Sequence, residues 1–224
     1  MKQEFPFQYK GRQPGRADGI ARRKAILNAT QTILIREGIR GVTHRTVAEE
    51  AQVPLAATTY YFKELTDLIH DSFLYFAEKT LNEIQHLEQA SFAVLQTYLS
   101  ASENANPEHL KESLLGFISR HIEDQVANRE ERLLEHTFRI EALRNQQLAE
   151  VFLLIEQYQL NSIQLFLNQL GIEEAEGLSQ HLFTMMQRME YLLMIDPGAN
   201  SLMRQSIAQV LDLFLLSSLK DSTN

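Results

Sequence analysis

Cysteine is absent from the 224-residue chain, which excludes disulfides, thiolate metal sites and cysteine catalysis. Glycine and proline are scarce, with nine and five residues, and this disfavours turn-rich sandwiches and barrels. No uncharged apolar run is long enough to span a membrane, and the start, MKQEFPFQYKGRQPGR, has no apolar signal-peptide core. These absences predict an all-α, soluble, cytoplasmic protein without membrane contact.

The net charge of −8 is unevenly distributed along the chain. Residues 1–64 contain 11 Lys and Arg against 6 Asp and Glu, a balance of +5. Residues 65–224 contain 10 against 23, a balance of −13. Because phosphate repels acidic surfaces, this asymmetry indicates that only the N-terminal end faces a polyanion such as double-stranded DNA.

The first helix follows a segment without periodicity. Residues 1–19 carry scattered charges and several Gly and Pro, and they are predicted to form a basic flexible tail. From Arg22 onwards, apolar residues recur at helical spacing as far as Leu34, and Gly38 is predicted to end this helix.

Two short helices are predicted next. The hydroxyl of Thr43 can cap a second helix that extends through Ala51. Pro54 suits the first turn of a third helix, which ends near Tyr61. Two helices, a tight turn and a further helix within about 40 residues are typical of a helix-turn-helix DNA-binding domain. The sequence therefore predicts such a domain over residues 20–64.

The remainder of the chain, residues 65–224, is helical in pattern throughout. A fourth helix is predicted from about Leu65 to Leu87, and a separate one over residues 91–103. Further apolar stripes follow, and Asp196-Pro197-Gly198 is predicted to form the turn between the last two helices. This pattern predicts a helical bundle larger than the N-terminal domain.

Residues 22–70 resemble the DNA-binding domain of TetR-family transcriptional regulators. The matching stretches are RRKAILNATQTILIREGIRGVT, HRTVAEEAQV, VPLAATTYYF and KELTDLI, with a Thr-Thr-Tyr-x-Phe variant of the recognition helix. The resemblance implies a repressor that binds a palindromic operator as a homodimer. It also implies that residues 65–224 bind a small apolar or amphipathic effector and dimerise, and that the fourth helix links the two functions.

The chain departs from the family pattern at three positions. Leu34 stands where the family usually has Phe, Gln52 where the turn usually has Gly, and Leu65 where Lys is frequent. Gln52 is expected to adopt a left-handed backbone at a cost of roughly 1 kcal/mol. Lys63 is expected to make the phosphate contact that Leu65 cannot make.

The residue types of the third helix suit contact with DNA. Ala56 and Ala57 are small enough to let the helix enter the major groove deeply. Thr59 and Tyr60 offer hydroxyls, and the Thr methyl can touch a thymine methyl. Basic and capping residues nearby can hold phosphates. The predicted DNA-binding residues are Arg22, Arg23, Thr43, Arg45, Ala56, Ala57, Thr59, Tyr60 and Lys63.

Other residues near the motif have a structural alternative. Tyr61 and Phe62 are predicted to belong to the domain core. Arg12 and Arg16 of the tail leave two interpretations open, namely groove contact and a tail that is simply solvated.

The helical body offers candidate ligand and dimer residues. The predicted ligand-binding residues are Phe117, His121, Phe138, Phe152 and Tyr158, although helical aromatics and a lone histidine also suit an ordinary core. The predicted dimerisation residues are Leu182, Met185, Met186, Met189, Leu193, Ile207, Val210, Leu211 and Phe214. No cofactor is predicted, and no metal site, because the seven His show no His-Glu-x-x-His pattern.

Two functions outside transcription are weighed against this interpretation. One is a helical protein that sequesters a small molecule or lipid, with a vestigial DNA-binding domain, as the departures at Gln52 and Leu65 would allow. The other is an enzyme, but no nucleophile elbow or phosphate loop is present. The sequence therefore favours a DNA-binding regulator that is not an enzyme.

Overall fold

The fold is that of a helical protein, seen in a computed structural model that describes residues 6–100, 107–172 and 174–220, without the side chains of 97–100, 107 and 214–220. Within those residues there is no β-strand, so the predicted all-α class is confirmed. The helices are α1 (Ala17–Glu37), α2 (His44–Glu50), α3 (Leu55–Tyr61), α4 (Leu65–Ser100), α5 (Pro107–Ala127), α6 (Arg129–Ala142), α7 (Gln146–Gln169), α8 (Ala175–Ile195) and α9 (Asn200–Lys220).

The ends of the first helices follow the predicted signals. Gly38 ends α1 with a φ of 69°, and its N–H donates to the carbonyl of Leu34. Thr43 caps α2 by accepting from the N–H of Thr46, whose hydroxyl in turn accepts from the N–H of Thr43. Pro54 immediately precedes α3. Gly38 thus satisfies a carbonyl left unpaired at a C-terminal helix end, whereas Thr43 and Pro54 satisfy or remove N–H donors at N-terminal ends.

The turn between α2 and α3 contains the predicted left-handed residue. Gln52 has a φ of 54°, and it is the one non-glycine residue with a positive φ in the part of the chain that the structure describes. The next residue closes the turn, since the N–H of Val53 donates to the carbonyl of Ala48 at 3.0 Å. The prediction for Gln52 is therefore confirmed, and the turn forms without glycine.

The fourth helix is longer than predicted. The sequence pattern predicts a break after Leu87 and a new helix over residues 91–103, whereas α4 continues to Ser100 as one helix of 36 residues. Residues 82–96 contain neither Gly nor Pro, so nothing there interrupts the hydrogen-bond ladder. Farther on, Gly171 follows α7 with a φ of 76°, and Asp196 accepts from the N–H of Gly198 in the predicted turn.

The chain divides into two compact units. The first contains residues up to Leu81 together with Glu130–Ile155. Its core includes Phe73 of α4, whose ring centroid lies 4.5 Å from that of Phe138 and 5.1 Å from that of Phe152. These contacts join α6 and the start of α7 to α4, so this unit includes helices from both sides of residue 64.

The second unit contains Asn82–Arg129 and residues from Glu156 onwards. Its core is an apolar cluster drawn from α5, α7, α8 and α9, with Ile122, Met203 and Ile207 fully buried. An ion pair between Lys111 of α5 and Asp212 of α9 adds a polar link at the surface. Among the described residues, none of the helices has the length and apolarity that a membrane span requires.

Candidate nucleic-acid interface and apolar cavity

One face of α3 is fixed against the rest of the first unit. Thr58 and Tyr61 are buried on this face, and the hydroxyl of Thr58 donates to the carbonyl of Leu55 at 2.8 Å. Val47 and Ala48 are buried on α2, which packs against α3. Phe62, directly after the helix, is completely buried. The prediction that Tyr61 and Phe62 belong to the core is confirmed.

The opposite face of α3 is open to solvent. Ala56, Thr59 and Tyr60 are exposed, and their spacing of three and four residues places them on one side of the helix. The ring of Tyr60 is 53% exposed and meets that of Tyr61 edge to face at 5.1 Å. Ala57 is half-buried at the edge of this face. The exposed face therefore combines one small residue with a threonine and a tyrosine.

Further predicted contacts are exposed polar or basic residues on α1, at the start of α2 and just after α3. Arg22, Thr43, Arg45 and Lys63 are exposed. Arg45 forms an ion pair with Glu49, one helical turn later, at 3.0 Å. An exposed pair of this kind is weak, so a phosphate can compete for the guanidinium.

The prediction for Arg23 is wrong. Arg23 is only 7% exposed. Its Nη2 lies 2.6 Å from Oδ2 of Asp71, whose side chain is completely buried. A guanidinium held in a buried pair is not available to a phosphate. Arg23 is therefore a structural residue of the first unit.

The segment before α1 also differs from the predicted flexible tail. The N–H groups of Lys10 and Gly11 donate to the two carboxylate oxygens of Asp71 at 2.8 and 2.9 Å. The N–H of Arg12 donates to the carbonyl of Tyr61 at 2.8 Å. These hydrogen bonds fix residues 10–12, and α1 begins at Ala17, within the range predicted to be tail.

The second unit contains an apolar cavity of about 80 Å³. Phe117 and His121 of α5 line it, as the ligand prediction expects, together with Leu182 and Met186 of α8. Nearly all of its wall is apolar, and its lining includes the polar residues Glu88, Ser91, His121 and Ser162. Such a cavity suits an apolar body with a small number of polar contacts.

Solved structures with the same arrangement of helices are transcriptional regulators. A TetR transcription regulator from Haloarcula marismortui has a TM-score of 0.63 at 19% identity, over 87% of this chain and 98% of that protein. A transcriptional regulator from Rhodococcus sp. Rha1 has a TM-score of 0.64 at 15% identity, over 87% and 96%. A regulator of the TerR/AcrR family from Aquifex aeolicus has a TM-score of 0.55 at 16% identity, over 86% and 98%.

The chain has the TetR fold. This likeness is one of structure, since no protein-family model and no curated protein sequence matches the chain. In the TetR fold the N-terminal helices form the helix-turn-helix domain, and α2 and α3 of this chain occupy that place.

Within this TetR fold, the remaining ligand predictions need correction. Phe138 and Phe152 do not line the cavity of the second unit, because they stack with Phe73 in the core of the first unit. Tyr158 is half-buried and is also not among the residues that line this cavity. Of the five predicted ligand residues, only Phe117 and His121 face it.

Most of the predicted dimerisation residues lie in the core of their own chain. The buried ones are Leu182, Met189, Leu193, Ile207 and Leu211, while those partly buried against the same core are Met185, Met186 and Val210. The side chain of Phe214 lies outside the described residues. A side chain already buried within one chain has little area to offer a partner, so the buried members of this set serve the core of their own chain. Dimerisation through the others stays a prediction. Among the described side chains of α8 and α9, the large exposed apolar residues are Tyr191, Ile195, Leu202 and Leu213.

Three residues of the first unit, Asp71, Tyr9 and Gly11, were not predicted from the sequence. Asp71 carried one signal, since it is a single carboxylate in a stretch of α4 otherwise rich in apolar residues. Tyr9 and Gly11 carried none, because their hydrogen bonds to Glu78 and Asp71 span 69 and 60 positions. Across the described residues, no group of three or more His, Asp or Glu is arranged to hold a metal ion.

Proposed function

We propose that this protein is a DNA-binding transcriptional regulator that inserts α3 into the major groove of duplex DNA. The observation that carries the proposal is the exposed face of Ala56, Thr59 and Tyr60 on a helix whose other face is buried against α2. A small residue allows close approach, and the hydroxyl and methyl groups of Thr and the Tyr hydroxyl suit base edges and phosphates. Its position in the TetR fold supports this assignment by likeness of structure.

Exposed polar and basic residues of the first unit are proposed to hold the phosphate backbone. Arg22, Thr43, Arg45 and Lys63 are exposed, and contacts with phosphates fix the register of a protein on the duplex. Gln52 supports the turn despite the absence of glycine, because it adopts the left-handed conformation itself. This departure therefore gives no support to a vestigial DNA-binding domain.

We propose that the regulator acts as a homodimer on a palindromic operator. Two copies of α3 would then enter successive major grooves about 34 Å apart. Tyr191, Ile195, Leu202 and Leu213 are large apolar residues exposed on α8 and α9, and they suit a protein interface better than solvent.

The test of the dimer uses the double variant Ile195→Glu, Leu202→Glu, which should be monomeric by light scattering at micromolar concentration. Leu143→Glu, which alters an apolar residue that is 86% exposed outside those helices, is the matched control and should remain dimeric.

The proposed effector is a small apolar or amphipathic molecule in the cavity of the second unit. The wall is nearly all apolar, and the polar residues His121 and Ser162 are among those that line it. A repressor releases its operator when the effector binds more tightly to the conformation that does not bind DNA. The difference between the effector's affinities for the two conformations sets the size of the response. Small aromatic and short-chain amphipathic molecules should raise the melting temperature of the wild type. Ser162→Leu, which narrows the cavity, should abolish that shift, whereas the exposed control Ser201→Leu should keep it.

The DNA-binding proposal is tested by selection of bound fragments from a genomic DNA library at low and moderate salt. We expect one palindromic motif with steeply salt-dependent affinity, and loss of that selection in the Tyr60→Ala variant. Recovery of no motif from the purified protein, even after bound ligand is stripped, would contradict the proposal. Tight binding of a small molecule under those conditions would favour the alternative of a helical ligand-binding protein.

A further inference from the structure

Residues 9–12, here called the N-terminal arm, have a fixed position on the first unit. The N–H groups of Lys10 and Gly11 donate to Oδ1 and Oδ2 of Asp71 at 2.8 and 2.9 Å. The Asp71 side chain is completely buried, and a buried carboxylate requires such donors. Asp71 therefore fixes the arm, and the arm in turn supplies two of the donors that the buried carboxylate needs.

Three further contacts position the arm. A Cβ added to Gly11 would lie 2.3 Å from Cε1 of Phe62, so the backbone runs against that ring more closely than any side chain would permit. The hydroxyl of Tyr9 donates to Glu78 at 2.7 Å. The guanidinium of Arg23 lies over the rings of both Tyr9 and Phe62, at 4.5 and 5.3 Å from their centroids. The path of the chain into Arg12 is thus set by α1, α4 and the end of α3.

Arg12 is the residue that this path brings to α3. Its N–H donates to the carbonyl of Tyr61 at 2.8 Å, and its guanidinium carbon lies 4.2 Å from the ring centroid of Tyr60. Arg12 and Tyr60 are both exposed. A guanidinium stacked on an aromatic ring keeps its N–H donors in the plane of the group, where they can reach an acceptor beyond the ring.

Arg12 differs in its ion pairing from two other exposed arginines of the first unit. Arg36 pairs with Glu37 and Glu50, and Arg45 pairs with Glu49. Among the residues that the structure describes, no carboxylate forms an ion pair with Arg12. A cation held beside the exposed face of α3 without a counter-charge is suited to an anion that arrives with the DNA.

We propose that Arg12 is a DNA-binding residue, presented beside Tyr60 by the Asp71-anchored arm, and that it neutralises a backbone phosphate of the operator. This inference rests on the proposed function of α3. It adds a phosphate contact from the arm to the contacts proposed for α1, α2 and α3.

The test is the salt dependence of binding to the operator recovered by fragment selection. Neutralising one phosphate contributes about 0.9 to the slope of log affinity against log salt. Arg12→Ala should therefore lower the slope by about 0.9 for each bound protomer and weaken binding by about tenfold at fixed salt. Arg12→Lys should keep the slope, since it keeps the charge. Arg12→Ala should unfold at the same urea concentration as the wild type, because the side chain is exposed.

Arg204→Ala is the charge-matched control, since Arg204 is an exposed arginine of α9. If Arg12→Ala and Arg204→Ala have the same slope as the wild type, the inference is wrong while the proposed function stands. A weaker affinity with an unchanged slope also overturns it, since Arg12 would then only orient Tyr60. If the wild type selects no operator and binds no random-sequence duplex at low salt, the proposed function fails and the inference fails with it.

Discussion

Arg23 and Asp71 form an ion pair inside the first unit, with Nη2 and Oδ2 2.6 Å apart and side chains 9% and 0% exposed. The carboxylate also accepts the N–H groups of Lys10 and Gly11. One acidic residue of α4 thus joins α1 and the N-terminal arm. Backbone and guanidinium donors surround this carboxylate, so the group is compensated despite its burial.

Asp71→Ala should lower the free energy of unfolding by about 3–5 kcal/mol, because it leaves the Arg23 charge buried without a partner. The measurement is urea unfolding at a fixed protein concentration. Asp124→Ala, which removes an exposed carboxylate of α5, is the control and should change the value by less than about 0.5 kcal/mol. Equal stabilities of the two variants would contradict the role of Asp71.

Gly11→Ala should destabilise the protein by about 1–3 kcal/mol, since overpacking against a rigid group costs this much. The new Cβ would meet the ring of Phe62, which is completely buried and has no room to move. Gly15→Ala is a matched control in the same segment, because a Cβ added there would have nothing within 4 Å. Both variants are compared with the wild type by urea unfolding, and a tolerated Gly11→Ala would show that the arm is displaced easily.

Gln52→Gly should stabilise the protein by roughly 0.5–1 kcal/mol. The φ of 54° at this position costs an L-residue about 1–2 kcal/mol, and the greater freedom of glycine in the unfolded chain cancels part of the gain. Gln52→Val should be destabilising, because a β-branched side chain tolerates this conformation poorly. Thermal unfolding of the three proteins checks the order, and a loss of stability in Gln52→Gly would disprove the explanation.

His136 should make the protein less stable in mild acid. Its pKa lies below the ordinary value because partial burial penalises the charged imidazolium, and Glu135 opposes this shift whereas Arg139 and Arg132 add to it. Below a pH of about 6.5 the unfolded chain therefore binds more protons than the folded one, and the free energy of unfolding falls with the pH.

The expected result is a shallower decline in the His136→Gln variant between about pH 7 and about pH 5. Urea unfolding at several pH values measures it. His109→Gln, on an exposed site of α5, serves as the control and should keep the wild-type decline. Parallel curves for all three proteins would rule out a contribution from His136.

The sequence alone predicted the helix ends and the turn, which depend on residues close to one another in the chain. Gly38, Thr43 and Pro54 mark the ends of α1, α2 and α3 because capping and turn chemistry act within a few residues. The strain at Gln52 was predictable for the same reason. The candidate DNA contacts of α3 were predicted from residue types and the family resemblance, and Ala56, Thr59 and Tyr60 among them are exposed.

Features that depend on distant residues were not predictable in this way. The apolar stripe containing Leu182 and Ile207 indicates burial, but periodicity does not distinguish a chain's own core from a partner's surface. Phe138 was likewise assigned to a ligand site, although Phe73 covers it. The arm was missed because the contact between Gly11 and Asp71 spans 60 positions, and no local pattern reports such a pairing.

The anchoring of the arm has a practical consequence for handling the protein. A chain shortened past Gly11 would retain every helix from α1 onwards, yet Asp71 would lose the two backbone donors it receives from Lys10 and Gly11. Truncation, protease trimming or a bulky fusion at this end would thus disturb the interior of the first unit. An affinity tag placed close to Tyr9 would alter the contacts of the arm. Binding constants measured on such a preparation would describe an altered protein.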